Sequence, residues 1–204
     1  YRVVAVCRVG QKEETRLLRV AVVPPRTTRE TVLGVNHAYP TKFLIGLAKK
    51  AGVSWYRDWS LKWQHIEPEK GRYQWQISDP QMDRVLAQDL NLMAMIPFPS
   101  TDWNSTAPSL ETLKAESPRY RAGGKGDEQE LIPRARWAWM PRDVNELKGF
   151  VGAAVGRYRK QVQVWEFLNE PLYTSYSLPD SASLDSKTLK GYTMDDYLNL
   201  LREV

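Results

Sequence analysis

From Thr31 onward the chain alternates four short apolar runs, rich in β-branched and aromatic residues, with four stretches whose apolar residues recur at helical spacing. "TVLGVN" is followed by a helical pattern that Thr41 caps, with Phe43, Leu44, Leu47, Ala48 and Ala51 recurring up to Gly52. "VSWYR" at 53–57 precedes a long loop and then a helix opened by Asp79 and Pro80, with Met82, Val85, Leu86 and Leu90 on one face. "NLMAMIP" leads through another long loop to "DVNELKGFVGAAVGRYRK", where Val144, Leu147, Val151, Ala154, Val155 and Tyr158 keep helical spacing. "VQVWEFL" is the fourth strand, and Thr193 caps a last helix, "MDDYLNLLREV". Strands joined by helical crossovers lie parallel, so the expected class is α/β, either a doubly wound sheet or a (β/α)8 TIM barrel. No strand is followed by a glycine-rich phosphate turn, and the long segments follow strands, where a barrel builds its active site. A barrel takes about 250 residues, so residues 27–204 are expected to be the amino-terminal half of one, strands one to four.

Ahead of this lie "YRVVAVCRV" and "RLLRVAVV", two strands joined by the polar "GQKEET" and ended by "PPR" at 24–26. A lone hairpin is marginal in water, so residues 1–26 read as the remnant of a β domain, sandwich-like and cut at its front. The formal charge of +5 is spread among acids, as in "RAGGKGDEQE" and "QKEETR", which argues against a nucleic-acid surface. Cys7 is the single cysteine, so neither an internal disulfide nor a cysteine-based metal site can form. No apolar run approaches the ~20 residues of a membrane span. The chain starts at Tyr1 with neither an initiator methionine nor a signal peptide, so the native start is expected to have been removed. Location stays open, an extracytoplasmic one included.

The stretch "VWEFLNEP" places an asparagine, a carboxylate and a proline where an apolar strand stops. Strand alternation would put Val164, Glu166, Leu168 and Glu170 on one face, and Trp165, Phe167 and Asn169 on the other. Glu170 then sits at the carboxyl end of a barrel strand, where a carboxyl shielded by aromatic rings can serve as a general acid. Asn169 can donate to and accept from a substrate hydroxyl. The competing reading is a polar strand end that Pro171 stops. The 8 Trp and 10 Tyr against 4 Phe favour rings with a polar handle, a hint of a carbohydrate-facing cleft. Trp59, Trp63, Trp103, Trp137 and Trp139 fall in or near loops after the second and third strands, as candidates for stacking on sugar or, alternatively, for loop packing. His37, after the first strand, is a candidate substrate contact; His65 is a weaker one. With 2 histidines and no clustered ligands, neither a catalytic metal nor another cofactor is expected.

"WEFLNEP" resembles the strand-four signature of clan A glycoside hydrolases, and "GVNHAYP", "AGVSWYRDWSLKWQHIEPEKGRYQW" and "SDPQMDRVLAQDLNLMAMI" look like the first two strands and second helix of such barrels. The stretch from Trp63 to Trp75 is especially similar to family 39, with its β-xylosidase-like and endoglycosidase-like branches. The resemblance covers residues 31–204 and implies a retaining enzyme with Glu170 as acid/base and a poly- or oligosaccharide substrate. It implies that Asn169 contacts the hydroxyl beside the reacting carbon and that Arg57 lies near the nucleophile; a salt bridge from Arg57 to Glu166 or Asp58 is the alternative. Glu166 lies four residues before Glu170, about 13 Å lower at ~3.3 Å per residue, so it reads as a barrel acid needing a cationic partner. In this clan the nucleophile is a glutamate at the end of strand seven; Asp58, Glu67, Asp79 and Asp102 do not match its motif. The nucleophile and the rest of the barrel are therefore expected from sequence outside these 204 residues, and the chain alone is expected to be inactive and only marginally stable, with open strand edges and helix faces lacking a closed core. A non-catalytic carbohydrate-binding relative is the second reading.

Overall fold

The computed structural model describes residues 2–19, 22, 31–36, 41–117, 136–173 and 176–204, so His37 lies outside the described residues. Strands β1 (Arg2–Val9) and β2 (Lys12–Arg19) form an antiparallel hairpin with pairs running from Arg2 with Arg19 to Val9 with Lys12. Its connection is shorter than the sequence implies, because "KEET" belongs to β2. Gly10 at φ 61° takes the first position of a two-residue turn, where an L side chain would be strained. Opposite charges then face each other across the ladder, Arg8 Nε donating to Glu13 at 2.6 Å.

The second sheet has four parallel strands in sequence order: β3 (Gly34–Asn36), β4 (Trp55–Asp58), β5 (Asn91–Ile96) and β6 (Val164–Phe167). Helix α1 (Lys42–Lys50) follows β3, and the Thr41 hydroxyl accepts from the Leu44 amide as anticipated. Between β4 and β5 come the short α2 (Trp63–Ile66) and α3 (Ser78–Leu86). Helices α4 (Leu110–Glu116) and α5 (Val144–Tyr158) follow β5, the latter capped by Asp143. Beyond β6 lie α6 (Ser181–Leu184) and α7 (Met194–Glu203), where Thr193 and Asp196 form a reciprocal capping box. The short α2, α4 and α6 fall in stretches that read as loop.

Register decides what each sheet face does. Tyr56, Leu92, Ala94 and Ile96 share one face and are buried with Ile45, Met82, Val85, Leu147, Phe150 and Ala154 from the helices. The other face carries Asn36, Arg57, Met93 and Val164 in one row and Met95 with Glu166 in the next, and most of it is open. Gly34 sits there because a Cβ would come within 3.2 Å of the Trp55 Cβ. A core does form between the crossover helices and the sheet, although Phe43, Leu44 and Leu47 of α1 remain exposed; the sheet's opposite face is a largely open apolar hollow of about 500 Å³ that includes Gly34, Trp55 and Met93. Strands β3 and β6 are its edges among the described residues.

Two crossover helices are also tied electrostatically. Arg157 on α5 donates from Nε and Nη2 to the Asp79 carboxylate of α3 at 2.8 and 2.6 Å, and the Tyr158 hydroxyl donates to it at 2.6 Å. The Arg157 bonds, helped by Tyr158, hold the Asp79 carboxyl below its ordinary range against the opposing effect of burial. A depressed carboxyl contributes stability above its unfolded value that is lost as pH falls through its folded one. Asp79→Asn should therefore cost about 0.5–1 kcal/mol at pH 7, a figure kept small by solvent screening of this half-exposed pair. Below about pH 4 the difference from the parent should shrink in urea titrations; a difference that grows on acidification would contradict the assignment.

Candidate functional site

Strand β6 ends at Phe167, and three alternate residues just beyond it adopt left-handed backbone: Leu168 (φ 66°), Glu170 (φ 47°) and Leu172 (φ 65°). None is glycine or asparagine, so each conformation is sterically costly, by about 1–3 kcal/mol. Backbone hydrogen bonds hold the segment beside β5, the Leu168 amide donating to the Ile96 carbonyl at 2.8 Å and the Asn169 amide to the Pro97 carbonyl at 3.3 Å. The reversal at Leu168 breaks the two-residue alternation. Leu168 turns into the core at 2% exposure, and Asn169 swings to the Glu166 side rather than joining Trp165 and Phe167.

Arg57, at the end of β4, organises that side. Its Nε and Nη2 donate to the two oxygens of Glu166 at 2.6 and 2.5 Å, Nη2 also reaches Asn169 Oδ1 at 3.1 Å, and Nη1 reaches Asn36 Oδ1 at 3.0 Å. The pair is partly buried and bidentate, the geometry that makes an arginine–carboxylate contact rigid. Glu166 therefore has the cationic partner anticipated for it. Asn36 Oδ1 accepts a second bond from Trp59 Nε1 at 2.9 Å, and the Arg57 guanidinium lies 5.2 Å from the centre of the Trp59 ring. Trp59 meets Tyr176 edge to face at 6.2 Å.

Asn36, Arg57, Trp59, Glu166, Asn169, Glu170 and Tyr176 line one cleft of about 340 Å³ at the carboxyl ends of the parallel strands. Four of the residues singled out in the sequence thus converge: Glu170, Asn169, Arg57 and Trp59. The carboxyl of Glu170 is not enclosed as expected; the residue is exposed, and the rings in the cleft, Trp59 and Tyr176, leave it open to solvent. Asn36 and Tyr176 were not singled out. Asn36 could have been found as the last residue of the "GVN" strand, one step before His37, whereas Tyr176 lies in an irregular segment with no spacing to mark it.

The other tryptophans sit elsewhere. Trp63 is fully buried, stacked on Phe150 at 5.4 Å, with Nε1 donating to Glu67 at 2.6 Å. Trp103 packs edge-on to Trp63 and donates to the Glu67 carbonyl at 3.0 Å. Trp137, 7% exposed, donates to Asp102 and contacts both Phe98 and His65 edge-on. Trp139, 6% exposed, packs against Tyr192. None of the four lines the cleft. Among the described residues no three His, Cys, Asp or Glu side chains gather as a metal site requires, and no described helix is long and apolar enough to cross a membrane.

Asp58, the alternative partner for Arg57, lies on the helix-covered face and is fully buried. Its Oδ1 accepts from the Ser60 amide at 2.8 Å and from the Ser60 hydroxyl, while Oδ2 has no partner among the described residues. Burial raises its carboxyl above the ordinary range, although the Ser60 bonds and the Lys62 charge oppose this. A raised carboxyl contributes stability below its unfolded value that is lost as pH rises through the folded one. Asp58→Asn should thus match or exceed the parent in urea midpoint at pH 8 and lose that advantage at pH 4; a larger deficit at pH 8 than at pH 4 would contradict this.

No family model matches the chain, and no curated protein matches it. Among solved structures it is similar to a family 39 glycoside hydrolase from the gut symbiont Bacteroides cellulosilyticus WH2, at 20% identity and TM-score 0.56 over 85% of this chain and 32% of that one. It is also similar to a β-galactosidase from Marinomonas ef1 (19% identity, TM-score 0.44, 69% of this chain and 22% of that one). Xylanase B from Clostridium stercorarium F9 follows, with 18% identity, TM-score 0.41, and 65% and 37% coverage. The chain spans well under half the length of each. At this identity the likeness to the family 39 structure concerns fold: a parallel sheet with alternating helices, shared with part of a glycoside hydrolase.

Proposed function

We propose that these 204 residues carry strands one to four of a (β/α)8 barrel belonging to a retaining glycoside hydrolase, family 39-like, with Glu170 as general acid/base. The observation that carries the reading is the convergence of Glu170, Asn169, Arg57 and Trp59 on one cleft at the carboxyl ends of parallel strands. The left-handed backbone at Leu168, Glu170 and Leu172 supports it, since such strain concentrates at functional sites. In this reading Glu170 protonates the glycosidic oxygen, then takes a proton from the water that releases the sugar. Asn169, oriented by Arg57, meets the hydroxyl beside the reacting carbon, and Trp59 offers a ring to the sugar's apolar face.

The nucleophile is the missing part. Among the described residues, Glu166 is the one other carboxylate lining the cleft, and Arg57 holds both its oxygens. A glutamate ending a strand a hundred or more residues beyond Val204 would supply it; a natural stop at Val204 would count against the hydrolase. Such a stop would favour the second reading, a carbohydrate-binding relative without chemistry. Titration with xylo- and manno-oligosaccharides separates the two. A hydrolase joined to its continuation loses turnover on Glu170→Gln and keeps binding, whereas a binding protein turns over nothing in either form.

A further inference from the structure

We propose that two copies of this chain close on each other, edge to edge, into an eight-stranded barrel with twofold symmetry. This rests on the half-barrel reading above; the surfaces that would meet stand on their own geometry. The sheet has four parallel strands, and β3 and β6 are its edges among the described residues. A twofold axis running along the strands sets β6 of each copy beside β3 of the other with polarity preserved, so that both edges pair. Eight parallel strands are the number at which such a sheet closes with a filled interior. The apolar hollow, with Val32, Gly34, Trp55, Met93 and Val164 in its wall, becomes that interior.

The helices beside the two edges carry matching exposed stripes. In α1, Ile45 points into the core, Gly46 faces Gln88 and Lys49 approaches Asp89 at 3.9 Å, so one flank lies against the end of α3. At about 100° per residue Leu44 and Leu47 turn to the opposite flank, with Phe43 on its rim. These three are 45%, 47% and 72% exposed. In α7, Leu200 points into the core and Glu203 pairs with Lys148 of α5 at 2.9 Å. Met194 and Leu201, 58% and 41% exposed, lie on the flank away from α5. The α1 stripe therefore looks past β3 and the α7 stripe past β6, the sides on which a closing copy brings α7 of one chain against α1 of the other. Charge agrees with this pairing. Helix α1 carries Lys42, Lys49 and Lys50 with no acid, and α7 carries Asp195, Asp196 and Glu203 against Arg202. Each chain offers both halves of the seam, as a self-complementary pair requires.

Sedimentation equilibrium of the 204-residue chain, combined with cross-linking, tests this. The expected species has twice the chain mass of 23.5 kDa and dissociates only on dilution. Leu47→Glu or Leu201→Lys should weaken association about 100-fold, since each seam loses an apolar contact worth roughly tenfold and the pair has two seams. Both side chains are exposed in the single chain, so the variants should keep its helical circular dichroism. In a Cys7→Ser background, a chain with Leu47→Cys mixed with one carrying Leu201→Cys should form a disulfide-linked pair, well above what either forms alone. A monomer at every concentration would overturn the proposal and assign the open face to another segment or partner. Growth beyond two copies would overturn it as well, because the edges would then pair without closing. So would a dimer that survives both substitutions, or one in which Leu47→Cys links chiefly to itself. Any of these results leaves Glu170 to its own kinetic tests. Failure of those tests with the closed dimer intact would remove the hydrolase reading and keep the interface.

Discussion

Replacing Glu170 by glutamine, in a protein that completes the proposed barrel, should slow hydrolysis of an unactivated glycoside by about 10²–10⁴-fold, the usual contribution of a positioned general acid. Glutamine keeps the size and hydrogen-bonding reach of the side chain but cannot give up a proton. Substrate binding should accordingly change little, and the loss should fall on kcat. With a leaving group acidic enough to depart unprotonated, such as a dinitrophenolate, the first step should recover most of its rate. A uniform loss across leaving groups would place Glu170 outside the proton-transfer step. The position makes the experiment clean: Glu170 is exposed and at a strand end, so the exchange disturbs no core contact.

The largest effect on stability should come from Trp63, and it should contrast with Trp59. Trp63 is fully buried, stacks on Phe150 and satisfies the buried Glu67 carboxylate through Nε1. Trp63→Ala should lower unfolding free energy by about 3–5 kcal/mol, through lost burial and a residual cavity, and it also strips a hydrogen bond from Glu67. Against an ordinary domain stability of 5–15 kcal/mol, that removes a large share of the total and nearly all of it at the low end of the range. Trp59→Ala removes a ring from the cleft, where it is held by Asn36 and faces Arg57 and Tyr176. It should weaken oligosaccharide binding by roughly five-fold, in line with ~1 kcal/mol for one aromatic contact, and shift the urea midpoint far less. Equal stability losses in the two variants would mean that the cleft and the core have been misassigned.

These two tryptophans also mark how far the sequence could be read. Both follow the second strand, four residues apart, and both looked available to a sugar. Position in a loop does not decide burial for so large a side chain. The four-residue helix Trp63–Ile66 turns Trp63 inward, where Glu67, four residues on, takes its N–H. The sheet was more legible. Strand and helix periods alternate, and Thr41, Asp143 and Thr193 stand as caps where the helices begin. The hairpin was legible as to its existence but not its turn, because a charged "KEET" looks like a loop until Gly10 closes the chain in two residues.

The site itself was half visible. "LNEP" pointed to Glu170 and Asn169, but alternation assigned Asn169 to the wrong face. A leucine with positive φ has no local signature, unlike a glycine or asparagine. What turns the backbone at Leu168 is tertiary: its side chain is drawn into the core while its amide and that of Asn169 stay bonded to the end of β5. Arg57 was named with two possible partners, and only packing could choose Glu166 over Asp58, since adjacent residues on β4 face opposite sides of the sheet. Asn36 emerges only in three dimensions, as the acceptor that joins Arg57 to Trp59.

The central claim is that Glu170 is the acid/base of a retaining mechanism, and its most direct test is product analysis of the Glu170→Ala variant, carried in a protein that completes the proposed barrel, with an activated glycoside and added azide. Without its base, a retaining enzyme stalls at the glycosyl-enzyme stage, and a small anion that needs no deprotonation can take the place of water. The account predicts faster turnover with azide and a glycosyl azide of the same anomeric configuration as the substrate. An unchanged rate in the variant, or an azide product of inverted configuration, would contradict it.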